Sequence, residues 1–347
     1  MEIQKKLVQT TDNSQAVYEY TLSNGVIVVK ILNYGGIITS LTVPDKNEIP
    51  TDIVLGFMEP SRYLSKHPHL GALTGRVAGR IENARFSIDG KIFEVTRNFL
   101  GKHHIHGGIN AIDKAVWNSA AYEENDAVCL KLNLFRPDGD AGFPGNVNIE
   151  VLYKLNASNQ FSIEYYASTD AATPLVLTNH SYFNLNGESS GVTVEETSLI
   201  INADKFLSIN SESIPTGIEN VKNTPFDLRR LTPILQNINS NNAQIKLVDG
   251  FDHAWLLNMD KPNITAIGNK SGIKLEITTD QKAVVCYTGN GLDGSLIGKS
   301  GVPYTRHYGI CFETQAEPNA INNPLFSNVV IRPGKPYKQK TIWSFCH

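Results

Sequence analysis

Two ionisable residues far apart in the chain, His180 and Glu313, have the types needed to move protons. His180 follows the apolar run 174–177, at the end of a predicted strand, and histidine is the one side chain whose unperturbed pKa lies near neutrality. Glu313 interrupts the apolar strand pattern of residues 309–315, where a buried carboxylate costs free energy unless it has a partner or a task. We therefore predict that the two residues form an acid and base pair.

Each member of this pair also has an ordinary structural interpretation. His180 alone is more often a hydrogen-bonded residue in a polar turn that closes a strand. Glu313 shares a strand face with Cys311 and would have a raised pKa in a cleft, but it could also be an exposed acid or pair with Arg306. Neutral donors and acceptors suited to hydroxyl recognition surround the histidine and favour a binding site; they are Asn179, Ser181, Tyr182 and Asn184.

A histidine cluster lies beside a glycine pair at residues 102–108. On a strand, His104 and His106 would share a face and could bind a metal, but zinc needs further ligands and no second compact Cys/His group supplies them. We favour His106 as a group that hydrogen-bonds a substrate, with the glycines letting the backbone approach the ligand closely. His103 and His104 are then expected to face mostly solvent.

Two more polar stretches contain groups that could bind hydroxyls. Residues 75–81 carry Arg76 and Arg80 without the residue order of a phosphate loop. An arginine here could donate directed hydrogen bonds to sugar hydroxyls, or it could pair with a surface acid such as Glu82. Asp252 could accept bonds from vicinal hydroxyls or form an Asx turn before a strand. Periodicity does not separate these alternatives.

Short β-rich runs separated by turn signals recur along the chain. They cover residues 17–22, 25–32, 37–43, 86–95, 127–135, 147–155, 161–168, 198–203, 254–257, 272–278, 283–288, 308–314 and 338–344. Helical patterns are confined to short candidates at 60–64 and 231–238, which argues against parallel sheets with crossover helices. The pattern predicts an all-β fold, a large antiparallel β-sandwich, and with no linker evident residues 1–347 are expected to form a single domain.

Composition narrows the classes of partner. With 31 basic and 34 acidic residues the formal charge is −3, and no block of like charge indicates a nucleic-acid or membrane surface. No apolar run approaches the ~20 residues that span a bilayer, and no secretory signal is recognised, so a cytoplasmic protein is expected. The cysteines are widely spaced and are expected to be reduced; they are Cys129, Cys286, Cys311 and Cys346.

Seven stretches in collinear order resemble the aldose 1-epimerase (galactose mutarotase) family over essentially the whole chain. They are residues 75–81, 106–108, 142–145, 178–185, 251–253, 287–290 and 312–315. The resemblance implies a β-sandwich of the galactose mutarotase (supersandwich) type, no metal and no organic cofactor. It also implies an isomerase that interconverts the α and β anomers of a free hexose, such as galactose or glucose, by acid and base ring opening and closure.

The same resemblance implies roles for individual residues. His180 matches the general acid of the family and Glu313 its general base. Gly79 stands where relatives often have asparagine, and Val285 stands where some have glutamine, so two sugar contacts differ from the family pattern. The substrate-binding positions are matched by Gly79, Arg80, His106, Ser181, Tyr182, Asp252 and Val285.

Three other functions compete with this one. A two-carboxylate glycosidase would use Glu313 with Asp252. A non-catalytic sugar-binding protein could keep the same fold, and a hexose-6-phosphate epimerase would need a basic cluster that the matched stretches lack. The expected partner is a small-molecule aldose, with no nucleic acid or membrane, and the expected state is a monomer or weak homodimer.

Overall fold

The structure is a computed structural model, describes residues 1–346, and consists mainly of β-strands. The strands up to residue 169 are β1 (Glu2–Thr10), β2 (Ala16–Ser23), β3 (Val28–Leu32), β4 (Ile38–Pro44), β5 (Pro50–Asp52), β6 (Leu73–Thr74), β7 (Arg80–Ile81), β8 (Arg85–Ile88), β9 (Lys91–Glu94), β10 (His104–Ile105), β11 (Asn118–Glu124), β12 (Ala127–Arg136), β13 (Val147–Asn156) and β14 (Gln160–Thr169). The later strands are β15 (Thr173–Pro174), β16 (Thr178–Asn179), β17 (Tyr182–Phe183), β18 (Thr197–Ile201), β19 (Ala203–Ile209), β20 (Pro215–Asn220), β21 (Thr232–Pro233), β22 (Asp252–Leu257), β23 (Ile264–Gly268), β24 (Lys274–Thr279), β25 (Ala283–Tyr287), β26 (Ile310–Gln315), β27 (Val330–Ile331) and β28 (Tyr337–Cys346).

Three large antiparallel sheets contain most of these strands. A five-stranded sheet has the order β1-β2-β3-β4-β5, and a nine-stranded sheet has the order β11-β12-β13-β14-β28-β24-β23-β18-β21. A six-stranded sheet has the order β17-β26-β25-β22-β19-β20. An antiparallel bridge between Val54 and Phe183 links the chain after β5 to β17. The predicted all-β class and the large antiparallel sandwich are confirmed.

The hydrophobic core is shared by the three sheets. Strand β13 alternates buried and less buried residues, so that Val147, Ile149 and Val151 face inward. Val29 of the five-stranded sheet and Phe312 of the six-stranded sheet belong to the same buried cluster. Because one face of the six-stranded sheet is committed to this core, its other face is free to carry different side chains.

Helical segments are few and short. They are α1 (Leu235–Ile238), α2 (Ala243–Val248) and 3-10 turns at Pro60–Leu64, Glu82–Ala84, Ile112–Lys114, Asp140–Gly142, Val194–Glu196 and Ala320–Asn322. The predicted helical candidate at 60–64 is a 3-10 turn, whereas of the candidate at 231–238 only Leu235–Ile238 is helical, as α1, and Thr232–Pro233 form β21. Helix α2, which Asn242 caps by accepting the Gln244 N–H, was not predicted. Among residues 1–346, no helix has both the length and the hydropathy needed to cross a membrane.

Two predicted β-rich runs each contain two strands. Residues 86–95 fold as the β8–β9 hairpin, which turns at Asp89 and Gly90 with φ values of +51° and +79°. Residues 198–203 divide at Asn202 between β18 and β19, which belong to different sheets.

Candidate active site

The face of the six-stranded sheet that does not pack on the core forms the floor of a cavity of about 210 Å³. On β26, Phe312 lies in the core and the next residue, Glu313, lines the cavity. The antiparallel register sets Val285 of β25 beside Glu313, and Tyr287 beside Asp252 of β22. Because successive side chains of a strand point to opposite faces of the sheet, these three neighbouring strands place two carboxylates and a phenol on the same face.

Two short strands outside this sheet bring Arg80 and His106 to the cavity. Strands β7 and β10 pair with Ile105 opposite Arg80, and His106 follows directly after β10. The His106 N–H donates to the Gly79 carbonyl at 3.1 Å and continues the pairing. His106 has a φ of +50°, a left-handed conformation in which the chain leaves the strand while the imidazole lines the cavity.

His180 lies in the turn between β16 and β17, and its backbone is held from both sides. Its N–H donates to the Ala72 carbonyl at 2.8 Å, and its carbonyl accepts the Gly71 N–H at 3.1 Å. The Asn179 side chain donates to the Gly71 carbonyl at 2.9 Å. These bonds fix the turn against the segment that leads into β6, so that the buried imidazole has a defined position.

His180 and Glu313 face each other inside the cavity. Nε2 of His180 lies 3.5 Å from Oε1 of Glu313, and both residues are buried. The other ring nitrogen, Nδ1, lies 3.5 Å from Sγ of Cys311, which shares a strand face with Glu313. Arg306, one possible partner for Glu313 on sequence grounds, instead forms an ion pair with Asp249.

Burial shifts the pKa values of this pair in opposite directions, because the charged form is cationic in one residue and anionic in the other. Burial and, to a smaller extent, His69 lower the pKa of His180 to about 3. Burial and, to a smaller extent, Asp252 raise the pKa of Glu313 to about 8 against the opposing effect of Arg80. At neutral pH the pair therefore holds one proton on Glu313, within 3.5 Å of the His180 nitrogen that could receive it.

Arg80 and Asp252 form an ion pair at the cavity wall. Nη2 of Arg80 lies 3.0 Å from Oδ2 of Asp252, and the two side chains are only 15% and 16% exposed. The guanidinium also lies over the ring of Phe99, 4.6 Å from its centroid. Arg80 thus pairs with Asp252 and not with Glu82, and Asp252 begins β22 with its carboxylate already oriented. Such a pair presents both donors and acceptors to a polyhydroxylated ligand.

His106, His180 and Glu313 form a cluster whose potential ligand atoms lie within 4.8 Å of one another. A metal ion would need a lone pair from each imidazole. Nδ1 of His106 accepts the Gly79 N–H at 3.2 Å, which assigns the ring proton to Nε2. Burial also holds the pKa of His106 well below its usual value, so the ring is a neutral hydrogen-bond donor. The tautomer favours hydroxyl recognition over metal binding.

The prediction that His103 and His104 face solvent is wrong, since both are fully buried. Nδ1 of His103 accepts the Asn83 N–H at 2.9 Å. Nδ1 of His104 donates to the Thr96 carbonyl at 2.8 Å, and its ring packs edge-on against Phe143 with the ring centroids 5.1 Å apart. Both histidines therefore support the loop that carries His106.

The other predicted substrate-binding residues occupy different positions. Tyr182 and Val285 line the cavity with their side chains, and Gly79 lines it with its backbone. Ser181 is not brought to the cavity, because its N–H and its hydroxyl both donate to Oδ1 of Asn179, at 3.0 and 2.7 Å. Its predicted place in the pocket lining is not found, and it serves the turn that holds His180.

Among the cavity residues that were not predicted as site residues, two carry ionisable side chains, Tyr287 and His69. Tyr287 lies two residues after Val285 on β25, so strand alternation alone could have identified it. His69 lies in the loop before β6, and its ring centroid is 5.1 Å from that of His106 and 5.8 Å from that of His180. No motif or strand pattern marks this loop, so the sequence carries no comparable signal for His69.

Comparison with known sequences places this geometry in context. A family model described as "Aldose 1-epimerase" matches residues 18–344. A galactose mutarotase of Sus scrofa is 37% identical over 335 residues, which cover 95% of this chain and 94% of the relative. An aldose 1-epimerase of Haemophilus influenzae is 36% identical over 349 residues, covering 98% and 99% of the two chains.

Solved structures show the same similarity in three dimensions. The crystal structure of a galactose 1-epimerase from Lactobacillus acidophilus superposes with a TM-score of 0.88 at 28% identity, covering 99% of this chain and 98% of that one. An aldose epimerase homologue from C. elegans superposes with a TM-score of 0.84 at 31% identity, covering 93% and 96%.

Proposed function

The chain belongs to the aldose 1-epimerase family and is an aldose 1-epimerase, and we propose that His180 is its general acid and Glu313 its general base. The proposed substrate is a free hexose such as galactose or glucose. Two relatives carry the names galactose mutarotase and galactose 1-epimerase, which supports a sugar of this class.

The proposed reaction opens and closes the hexose ring. Glu313 takes the proton from the C1 hydroxyl while His180 gives a proton to the ring oxygen, so that the C1 bond to the ring oxygen breaks and an aldehyde forms. Rotation about the C1–C2 bond exposes the other face of the aldehyde. Ring closure then returns each proton to its first owner. All proton carriers in this scheme are side chains, and the scheme uses no cofactor.

One observation carries this proposal: Nε2 of His180 and Oε1 of Glu313 lie 3.5 Å apart inside a cavity. The two oxygens that exchange protons are bonded to the same carbon, C1. An acid and a base that serve them in one step must therefore lie close together, and widely separated groups could not do so. Their shared burial also limits competition from water.

The proton must reach His180 before the ring can open. The pKa values of about 3 for His180 and about 8 for Glu313 favour the proton on Glu313. The reactive arrangement has the same total number of protons, with the proton on His180 and a carboxylate on Glu313. Transfer within the pair therefore produces it without exchange with solvent.

The remaining hydroxyls of the sugar are proposed to bind the polar groups of the cavity wall. Arg80 and Asp252 offer a donor and an acceptor held 3.0 Å apart, and His106 offers its Nε2 proton. Tyr182 and Val285 contribute side-chain surface. Fixing the ring in this way leaves C1 as the atom that moves.

The two-carboxylate glycosidase is not favoured. Its second carboxylate would be Asp252, which is engaged by Arg80 at 3.0 Å, whereas the group that faces Glu313 is an imidazole. A binding protein without activity is likewise not favoured, because its relatives are named as epimerases and mutarotases.

Polarimetry of freshly dissolved sugar tests the proposed function directly. The optical rotation of α-D-galactose or α-D-glucose should relax several-fold faster with micromolar protein than in buffer. Release of product from a chromogenic glycoside would instead support the glycosidase. Relaxation at the buffer rate for both sugars would contradict the proposal.

We also propose that the chain works as one domain and as a monomer or weak homodimer in the cytoplasm. One buried cluster includes residues from Tyr20 to Phe345, and the cavity is lined by this chain. Cys129, Cys286 and Cys311 are buried free thiols, which suits a reducing compartment. Light scattering at several protein concentrations would measure the oligomeric state.

A further inference from the structure

A third imidazole lines the cavity beside the proposed acid and the proposed hydroxyl-binding histidine. The ring of His69 lies 5.8 Å from that of His180 and 5.1 Å from that of His106, measured between centroids. Its side chain is 27% exposed, so it lies nearer the mouth of the cavity than the two buried rings. The proposed reaction assigns no role to this residue.

A buried carboxylate orients this imidazole. Nδ1 of His69 lies 2.8 Å from Oδ2 of Asp113, whose side chain is only 6% exposed. Within residues 1–346, the other carboxylate oxygen, Oδ1, has no hydrogen-bond partner, so His69 is the side chain that satisfies Asp113. A carboxylate accepts and does not donate, which assigns a proton to Nδ1 and leaves Nε2 as the second polar atom of the ring.

The backbone at His69 is held in an uncommon conformation. Its φ is +55°, in the left-handed region that costs a side-chain-bearing residue free energy. The Ala72 N–H donates to the His69 carbonyl at 3.0 Å, and the Ala72 carbonyl accepts the His180 N–H at 2.8 Å. His69 and His180 are therefore fixed through one short segment of chain, and His69 lines the cavity.

We propose that His69 is a substrate-binding residue whose Nε2 hydrogen-bonds one hydroxyl of the bound sugar, and that Asp113 is its positioning residue. This inference rests on the proposed function. Protons in that reaction are balanced between His180 and Glu313, so a third group at this distance has no proton to carry. Recognition of a hydroxyl uses the one ring atom of His69 that Asp113 leaves available.

The test is a cycle that combines protein variants with deoxy sugars. Wild type and His69→Phe are assayed on a sugar that the wild type accelerates and on its 2-, 3-, 4- and 6-deoxy forms. Losing one hydrogen bond should lower kcat/KM for the parent sugar about 3- to 10-fold. The ratio of the wild-type kcat/KM to the variant kcat/KM should fall to about 1 for the one deoxy sugar that lacks the contacted hydroxyl. For the other deoxy sugars this ratio should stay as high as for the parent sugar.

Further variants separate contact from structure. Asp113→Asn should give the same pattern among the deoxy sugars, because it disturbs the orientation of the ring. Lys66→Gln, a change of an exposed residue in the same loop as His69, should leave the ratio of wild-type to variant kcat/KM at about 1 for every sugar. If His69→Phe does not fold, as judged by its thermal transition, His69→Asn replaces it, because asparagine tolerates positive φ.

The role of His69 would be overturned if the ratio of wild-type to His69→Phe kcat/KM were the same for all the sugars, or if the variant lost no activity on the parent sugar. The proposed function would still stand in that case, as long as the wild type accelerates the reaction. A wild type that accelerates no sugar would overturn the proposed function and this inference together.

Discussion

Burial is the largest cause of the unusual pKa values of both His180 and Glu313. Burial disfavours the imidazolium of one residue and the carboxylate of the other. The pair therefore holds a single proton between about pH 3 and about pH 8. Two groups that interact this closely titrate as a unit, so the active form is best described by its total number of protons.

Removing either member of the pair should remove most of the catalysis without unfolding the protein. We expect His180→Ala and Glu313→Gln each to lower kcat by about 10²- to 10⁴-fold, the usual contribution of a positioned acid or base. Polarimetric initial rates measure the loss, and circular dichroism checks the fold. Because the pair acts as a unit, the double variant should be little worse than either single variant. Folded single variants with near-normal rates would refute both roles.

The dependence of kcat/KM on pH should report the singly protonated pair. Below about pH 3 both groups hold protons, and above about pH 8 neither does. We expect a plateau through pH 5 to 7 and a fall above about pH 8, after subtraction of the uncatalysed rate at each pH. An acid limb near the ordinary histidine pKa of about 6.5 would show that burial does not control His180.

At the scale of elements, the β7–β10 pairing positions the two proposed sugar-binding groups that the six-stranded sheet does not carry, Arg80 and His106. Gly79 precedes β7, with a φ of +73°. Its N–H donates to Nδ1 of His106 and its carbonyl accepts the His106 N–H. Any movement of Gly79 therefore affects both the position and the tautomer of His106.

Substitution of Gly79 should test this dependence. A Cβ at Gly79 would lie 3.1 Å from the buried Gln315 side chain, and alanine is strained at positive φ. We expect Gly79→Ala to cost about 1–2 kcal/mol and to lower kcat/KM several-fold. Gly79→Asn should lose less stability, since asparagine tolerates this conformation. Gly90→Ala is the matched control, because Gly90 has a φ of +79° but a Cβ there would have no atom within 4 Å. This variant should lose stability but keep its activity. Equal activity loss in both alanine variants would contradict the argument.

How well elements were predicted from sequence depended on whether one of their faces is buried. Strand β13 alternates cleanly and was predicted almost to its ends. Strand β1 was missed because none of its residues is buried: it pairs with β2 at the edge of the sheet, which leaves no apolar period in its sequence. The position of Glu313 on the cavity face agrees with strand alternation, because its neighbour Phe312 packs in the core on the opposite face.

Contacts between distant loops set the limit of prediction at the site. The solvent exposure expected for His103 and His104 was wrong because Asn83 and Thr96, which bond them, come from other segments. The position of His69 depends on Asp113, 44 residues away in sequence. Such contacts are tertiary, and no local pattern encodes them.

At the scale of the whole molecule, the cavity floor and the surface packed against the hydrophobic core are two faces of the same sheet. Phe312 and Val284 pack in the core, and Glu313 and Val285 occupy the opposite face of the same two strands. The core thus holds the strands that position Glu313, and the cavity on their other face removes that carboxyl from water. The raised pKa of Glu313 is a property of this layered arrangement.

Through Glu313, that arrangement should lower stability as pH rises from about 4.5 to about 8, while buried histidines with lowered pKa values, such as His180, contribute in the opposite direction below about pH 6.5. Burial raises the pKa of Glu313 to about 8 in the folded protein, against an ordinary value of 4.5 in the unfolded chain. Between these values the unfolded chain releases the Glu313 proton while the folded protein keeps it, so the contribution of Glu313 to the free energy of unfolding falls as pH rises. At pH 7 the loss is on the order of 2–4 kcal/mol, and below about pH 4 it vanishes.

Glu313→Gln should therefore be inactive but more stable than the wild type at neutral pH. Glutamine keeps the shape of the neutral acid and has no proton to lose. The free energy of unfolding of the variant therefore lacks the loss that the raised pKa of Glu313 causes in the wild type. We expect a Tm several degrees above that of the wild type at pH 7 and an equal Tm at pH 4, measured by calorimetry. Glu219→Gln, an exposed change on β20, should shift neither value. A Glu313→Gln variant with no gain at pH 7 would show that the cavity floor does not hold this carboxyl in its neutral form.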